Sequence, residues 1–122
     1  MDKVMKIWEQ KKSFTIFMVG DSVTWGCSHG GDEDTYTAVF ARLLAQKYPQ
    51  KTIIRYDGLY HHEKEPIYSY GAAKVIQNGR DGCIAVIRSG VGGNTVQRLL
   101  NRTHNFLGDV EGIGRGDLLL IN

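Results

Sequence analysis

Cysteine and proline are scarce, with two of each in 122 residues, and no apolar run comes near the length of a membrane span. Each shortage excludes something. Cys27 and Cys83 stand in no metal-type spacing, which argues against a disulfide framework or a thiolate metal site. A spanning helix needs roughly 18 consecutive apolar residues, so no membrane partner is expected. Residues 1–10 carry too many charges for the apolar segment of a secretory signal, which makes the cytoplasm the expected location. Net charge is also small: 15 basic against 13 acidic side chains leave +2, and no basic stripe extends beyond Lys11-Lys12. Nucleic acid is therefore not an expected partner. Neither internal repeats nor low-complexity segments occur.

What remains is the composition of one small soluble domain spanning 1–122. A chain of this size buries roughly 65% of its unfolded surface, enough for one core. Fifteen glycines against two prolines imply turns with unusual backbone angles or close approach of chain segments.

The apolar patterning predicts alternating elements. Residues 2–12 read as an amphipathic helix through Val4, Met5, Ile7 and Trp8. Residues 14–19 form an unbroken apolar run rich in aromatic and β-branched side chains, the mark of a buried strand. A polar loop at 28–34 leads to a helix over 36–48, capped by Asp34 or Thr35 and ended before Pro49. Its inward stripe is read as Tyr36, Val39, Phe40, Leu43 and Leu44. Residues 52–56 make a second strand. Residues 57–82 are harder to assign and are read as a polar stretch at 61–66, a short helix near 71–77 and a turn at 78–82. Residues 83–88 form a third strand. A helix begins near Thr95 with Val96, Leu99 and Leu100 inward, and a glycine-rich connection leads to a fourth strand at 117–122. Strands alternating with helices predict an α/β fold with a parallel sheet. Because the chain stops inside an apolar strand, the domain is expected to be truncated there or completed by another chain. An open strand edge of this kind is a route to self-association.

Gly20-Asp21-Ser22-Val23 directly follows the first strand. A serine on a turn at the carboxyl end of a buried strand has its hydroxyl at the rim of the sheet, where open α/β proteins place their chemistry. Gly90-Val91-Gly92-Gly93-Asn94-Thr95 follows the third strand and supplies backbone N–H groups with no Cβ in the way at Gly92 and Gly93. A nucleophile beside an anion-stabilising loop points to acyl transfer, in which a base activates the serine and aimed N–H groups hold the oxyanion. A helix starting near Thr95 would add positive potential there. Asp21 is adjacent to the serine and cannot act as its base; it is read as an anchor of the turn.

These two motifs resemble those of the SGNH (GDSL-type) hydrolases. The likeness rests on Gly20-Asp21-Ser22, on residues 88–95, on their continuation through 96–102, and on the strand-like 117–121 that precedes the family's third motif. It implies a flavodoxin-like three-layer α/β/α sandwich and ester hydrolysis with no metal or cofactor. The expected substrates are small acyl or acetyl esters, carried on a carbohydrate or a lipid. In the family pattern Ser22 is the nucleophile and Gly93 donates its N–H to the oxyanion, helped by the N–H of Ser22. Gly20, Asp21 and Asn94 support the two turns. Trp25, just past the nucleophile, is read either as lining the acyl pocket or as a packing aromatic. The third motif, with its asparagine donor, would begin just after Asn122, which does not match it. The Asp-x-x-His motif that supplies the base would lie further on, so these 122 residues are expected to be inactive alone.

Other readings compete. Gly90-x-Gly92-x-x-Thr95 is one residue from a dinucleotide fingerprint, which would make the chain a non-catalytic module for an anionic or nucleotide ligand. That fingerprint needs an acidic residue ending a strand about 20 residues on, whereas Asp109 and Glu111 sit among glycines. His29, His61, His62 and His104 are read as solvated histidines, and neighbouring residues such as His61, His62 and Glu63 seldom converge on one ion. Cys27 and Cys83 are read as small core residues, Arg88, Arg98 and Arg102 as surface ion pairs, and the apolar stripe at 96–100 as core.

Overall fold

The computed structural model describes residues 12–20, 35–61, 67–90 and 96–121. Their elements in chain order are β1 (Ser13–Gly20), α1 (Tyr36–Lys47), β2 (Thr52–His61), β3 (Ile67–Tyr70), β4 (Lys74–Gln77), β5 (Cys83–Gly90), α2 (Val96–Asn101), a 3-10 turn (Thr103–Asn105) and β6 (Leu118–Ile121). The expected helix over 2–12 lies outside the described residues except for Lys12.

The fold is α/β with a mixed, mainly parallel sheet. Strands run in the order β3-β2-β5-β1-β6, and β4 also pairs with β2. β2, β5, β1 and β6 are mutually parallel. The antiparallel part was not anticipated. β2 runs on past residue 56 to His61, and the chain returns along its outer edge as β3 and then β4. The helix expected near 71–77 is therefore replaced by a strand at Lys74–Gln77. Val75 and Ile76 favour a pleated surface, and the free edge of β2 offers their backbone a ladder that an isolated helical turn would not have.

Period-two alternation divides the core between the faces of the sheet. Phe14, Ile16 and Met18 of β1 point to one face, where they pack with Ile53, Ile84, Val86 and the α1 residues Ala41 and Leu44. Phe17 and Val19 point to the other, with Ala85, Ile87, Phe106 and Val110. Full burial of each such side chain stabilises by roughly 1.5–3 kcal/mol. The Asp117 carboxylate accepts from the Thr15 N–H at 2.9 Å, and its own N–H donates to the Thr15 carbonyl, which seats β6 against β1.

α1 starts where the sequence indicates, with the Thr35 hydroxyl accepting from the Ala38 N–H at 3.2 Å. Its buried face differs from the expected stripe. Thr37, Ala38, Ala41 and Leu44 are buried, whereas Val39 and Leu43 are exposed. Small side chains let the helix approach the sheet closely, and the larger ones are left at its flanks. In α2 only Leu99 packs on the core; Val96 and Leu100 are exposed, which corrects the reading of 96–100 as a core stripe.

Candidate functional site

β1 and β5 pair in register from Ser13↔Cys83 to Gly20↔Gly90, so the two strands end side by side at the carboxyl edge of the sheet. Both terminal glycines are buried. The segments leaving these ends, 21–34 and 91–95, carry both sequence motifs. Gly20 is the one predicted site residue that is described; Asp21, Ser22, Trp25, Gly93 and Asn94 lie outside the described residues. Of the candidate bases, His29 and His62 also lie outside. His61 closes β2 without a described side chain, and His104 is exposed on the 3-10 turn.

Beneath these strand ends lie two polar clusters, one on each face. On the α2 face, Arg102 Nη2 donates to the Ser89 carbonyl at 2.8 Å and, at a longer 3.4 Å, to the Gly20 carbonyl. Arg102 Nη1 donates to Ser89 Oγ at 3.0 Å. The Tyr70 hydroxyl bonds to both Ser89 Oγ and the Asn105 carbonyl. A phenol has one proton and a carbonyl only accepts, so Tyr70 donates to Asn105 and receives the Ser89 proton. The order Arg102 to Ser89 to Tyr70 to Asn105 follows, with every hydroxyl both donating and accepting. Ser89 is fully buried and engaged in this chain, which gives it the role of a structural serine. The Arg102 guanidinium also lies over the Phe106 ring, 5.4 Å from its centre.

On the α1 face, β2, β4 and β5 contribute a buried ionic cluster. Asp57 Oδ1 lies 3.1 Å from Arg55 Nε and 3.2 Å from Arg88 Nε, while Asp57 Oδ2 receives Lys74 Nζ at 2.8 Å and Arg55 Nη2 at 3.2 Å. The two Nε contacts are ionic rather than aligned hydrogen bonds. Burial alone would push the Asp57 carboxyl up. The Lys74 hydrogen bond, with the charges of Arg88, Arg55 and Lys74, outweighs burial and holds it below the ordinary aspartate range. Asp57 is thus a counter-ion, held ionised, and neither a base nor a free metal ligand.

Arg88 and Arg102 are corrected by this geometry. Arg88 is buried in an ion pair within the sheet, and Arg102 is a partly buried brace on backbone carbonyls, so neither is a surface ion pair. The side chain of Arg98 lies outside the described residues. Cys83 is half-buried, and burial pushes its thiol up, as suits a packing residue. Among the described residues no group of histidine, cysteine and acidic side chains could hold a metal ion. Asp109 and Glu111 are exposed in a turn and end no strand, so neither sits where a dinucleotide fingerprint requires its acidic residue. With only six residues, α2 offers little macrodipole, and any oxyanion stabilisation at the 91–95 loop must come from individual N–H groups.

Sequence reasoning missed Arg55, Asp57, Tyr70, Lys74 and Asn105. For the first two a signal existed: Ile53, Arg55 and Asp57 alternate onto one strand face, and Ile53 is plainly core. Ending the second strand at residue 56 hid it. At the same edge, Met18, Tyr36, Leu120 and Ile121 line an open cleft of about 280 Å³. No helix among the described residues is long and apolar enough to cross a membrane. No protein-family model, curated protein or solved structure significantly matches this chain.

Proposed function

We propose that this chain carries the nucleophile and part of the oxyanion hole of an SGNH-type serine ester hydrolase. The observation that carries the reading is the pairing of Gly20 with Gly90, which ends the two motif-bearing strands at one level on neighbouring positions of the sheet. Ser22 is two residues past the first of these ends and Gly93 three past the second. Carboxyl ends of adjacent parallel strands are where open α/β sheets bind ligands.

Strand order supports the finer architecture as well. With the 52–77 excursion taken as an addition at the sheet edge, β5, β1 and β6 stand in the second-first-third order of the flavodoxin-like fold. In this reading Ser22 attacks the carbonyl of a small acyl or acetyl ester, and the N–H groups of Ser22 and Gly93 hold the oxyanion. The leaving alcohol departs with a proton from the general base, and water then hydrolyses the acyl-enzyme. In the family pattern the base is a histidine oriented by an aspartate, the pair supplied by an Asp-x-x-His motif. The cleft lined by Met18, Tyr36, Leu120 and Ile121 is apolar and suits a short acyl chain.

The test is Ser22→Ala in the full-length protein, assayed on p-nitrophenyl acetate and labelled with a fluorophosphonate. Turnover is expected to fall by on the order of 10⁴–10⁶-fold, with loss of the covalent adduct. Near-normal turnover by the variant would remove Ser22 from the mechanism.

A further inference from the structure

Arg102 stands beyond the glycine loop and α2, yet its guanidinium reaches back to the carboxyl ends of both motif-bearing strands. One nitrogen, Nη2, contacts the carbonyls of Gly20 on β1 and Ser89 on β5. The other, Nη1, binds Ser89 Oγ. The plane is backed by the Phe106 ring, and Ser89 Oγ is fixed in turn through Tyr70 to the Asn105 carbonyl. These contacts fix the guanidinium firmly on the end of β5, and its single 3.4 Å contact to the Gly20 carbonyl ties the end of β1 to it. Nothing in the ester chemistry proposed above accounts for this arrangement.

We propose that Arg102 is a positioning residue that locks the ends of β1 and β5 together, and thereby sets the distance between the serine and the oxyanion donor. This rests on the serine-hydrolase reading. The physical reason is that the oxyanion forms only as the reaction proceeds, so its donors must already be placed when the nucleophile attacks. A misplacement of about 1 Å can cost roughly 100-fold in rate. Ground-state binding of a small ester depends far less on that distance, so the cost falls on kcat and not on KM. Lysine cannot substitute, because its ammonium is a compact point donor on a flexible stem and lacks the planar fork.

The experiment compares full-length wild type with Arg102→Lys, Arg102→Ala and Ser22→Ala on p-nitrophenyl acetate. Thermal unfolding and hydrogen exchange are followed on the same samples. For Arg102→Lys, kcat is expected to fall roughly 10–100-fold with KM within about threefold, and exchange is expected to rise selectively in peptides covering 20–25 and 89–95. Added guanidinium is expected to restore part of the Arg102→Ala rate. Should that variant not fold, Arg102→Lys, which keeps the charge and most of the stem, carries the test. An unchanged kcat in Arg102→Lys while Ser22→Ala is inactive overturns this inference and leaves the serine chemistry intact. A fall in kcat matched by general destabilisation and exchange throughout the sheet also overturns it. An inert wild type, or an active Ser22→Ala, overturns the serine reading and takes the positioning role of Arg102 with it.

Discussion

Gly82 and Gly108 share a left-handed backbone, with φ of 87° and 72°, but differ in their surroundings. A Cβ on Gly82 would lie 2.3 Å from the Lys12 carbonyl oxygen, whereas one on Gly108 would meet nothing within 4 Å. The Lys12 carbonyl also accepts from the Cys83 N–H at 2.7 Å, and the Gly82 carbonyl accepts from the Thr52 N–H at 2.9 Å. Gly82 therefore sits in the backbone junction where β1, β2 and β5 all begin. Gly108→Ala carries only the cost of a left-handed alanine, about 1 kcal/mol. Gly82→Ala adds a backbone collision that no side-chain rotation relieves, and is expected to lose more than about 2 kcal/mol. Urea unfolding of the two variants side by side measures the difference. Equal losses would mean that the junction yields without cost.

For a whole element, the clearest case is α1. The Thr35 hydroxyl caps it, is buried, and lies 3.0 Å from the Thr37 hydroxyl. Thr35→Ala removes both contacts and leaves the Ala38 N–H without its capping acceptor, so a loss of about 1–2 kcal/mol is expected, with Thr35→Ser recovering most of it. Denaturant midpoints decide this, and a neutral Thr35→Ala would place the helix start elsewhere. The cap was legible in the sequence because capping is local chemistry among four consecutive residues. Of the four parallel strands, those at 14–19, 83–88 and 117–122 were legible for a similar reason, each being a continuous apolar run, and the one at 52–56 was legible from its β-branched and aromatic residues. Which face of α1 is buried was legible only in part: Leu44 is buried and Tyr36 and Phe40 pack against the core, but Val39 and Leu43 are exposed. Thr37, Ala38 and Ala41 face the sheet because they are small, a matter of the distance between two elements that no single element records. β4 was hidden likewise: Gly71-Ala72-Ala73 ahead of it suggests a helix, and only the edge of β2, some twenty residues earlier, makes it a strand. At the candidate site, the strand ends at Gly20 and Gly90 followed from the apolar runs that precede them, while the segments 21–34 and 91–95 lie outside the described residues. The network of Arg102, Ser89, Tyr70 and Asn105 could not be read, since it joins residues from three separate stretches of chain.

Across the whole molecule, the Asp57 cluster joins three strands, with Arg55 and Asp57 on β2, Lys74 on β4 and Arg88 on β5. Its stability contribution must follow the protonation of the one carboxylate. The folded state holds Asp57 below its ordinary pKa of 3.8, so the unfolded chain binds the proton more tightly. The stabilisation is therefore fully present above the ordinary value and is lost as pH falls from there through the lower folded one. Asp81 is also held below its ordinary value, by a hydrogen bond from Lys12 and by the charges of Lys12 and Lys51. It lies on the exposed surface and is common to wild type and any Asp57 variant, so it cancels in their comparison. Asp57→Asn keeps the shape but removes the charge that Arg55 and Arg88 share within the sheet. At neutral pH it is expected to cost about 3–5 kcal/mol, the usual result of deleting one partner of a buried ion pair. Protonated aspartic acid and asparagine are nearly isosteric and both neutral, so the two proteins should converge in urea midpoint as pH is lowered below about 4. A constant offset between them from neutral to acid pH would mean that the Asp57 charge does not hold β2, β4 and β5 together, and that the sheet rests on its apolar faces alone.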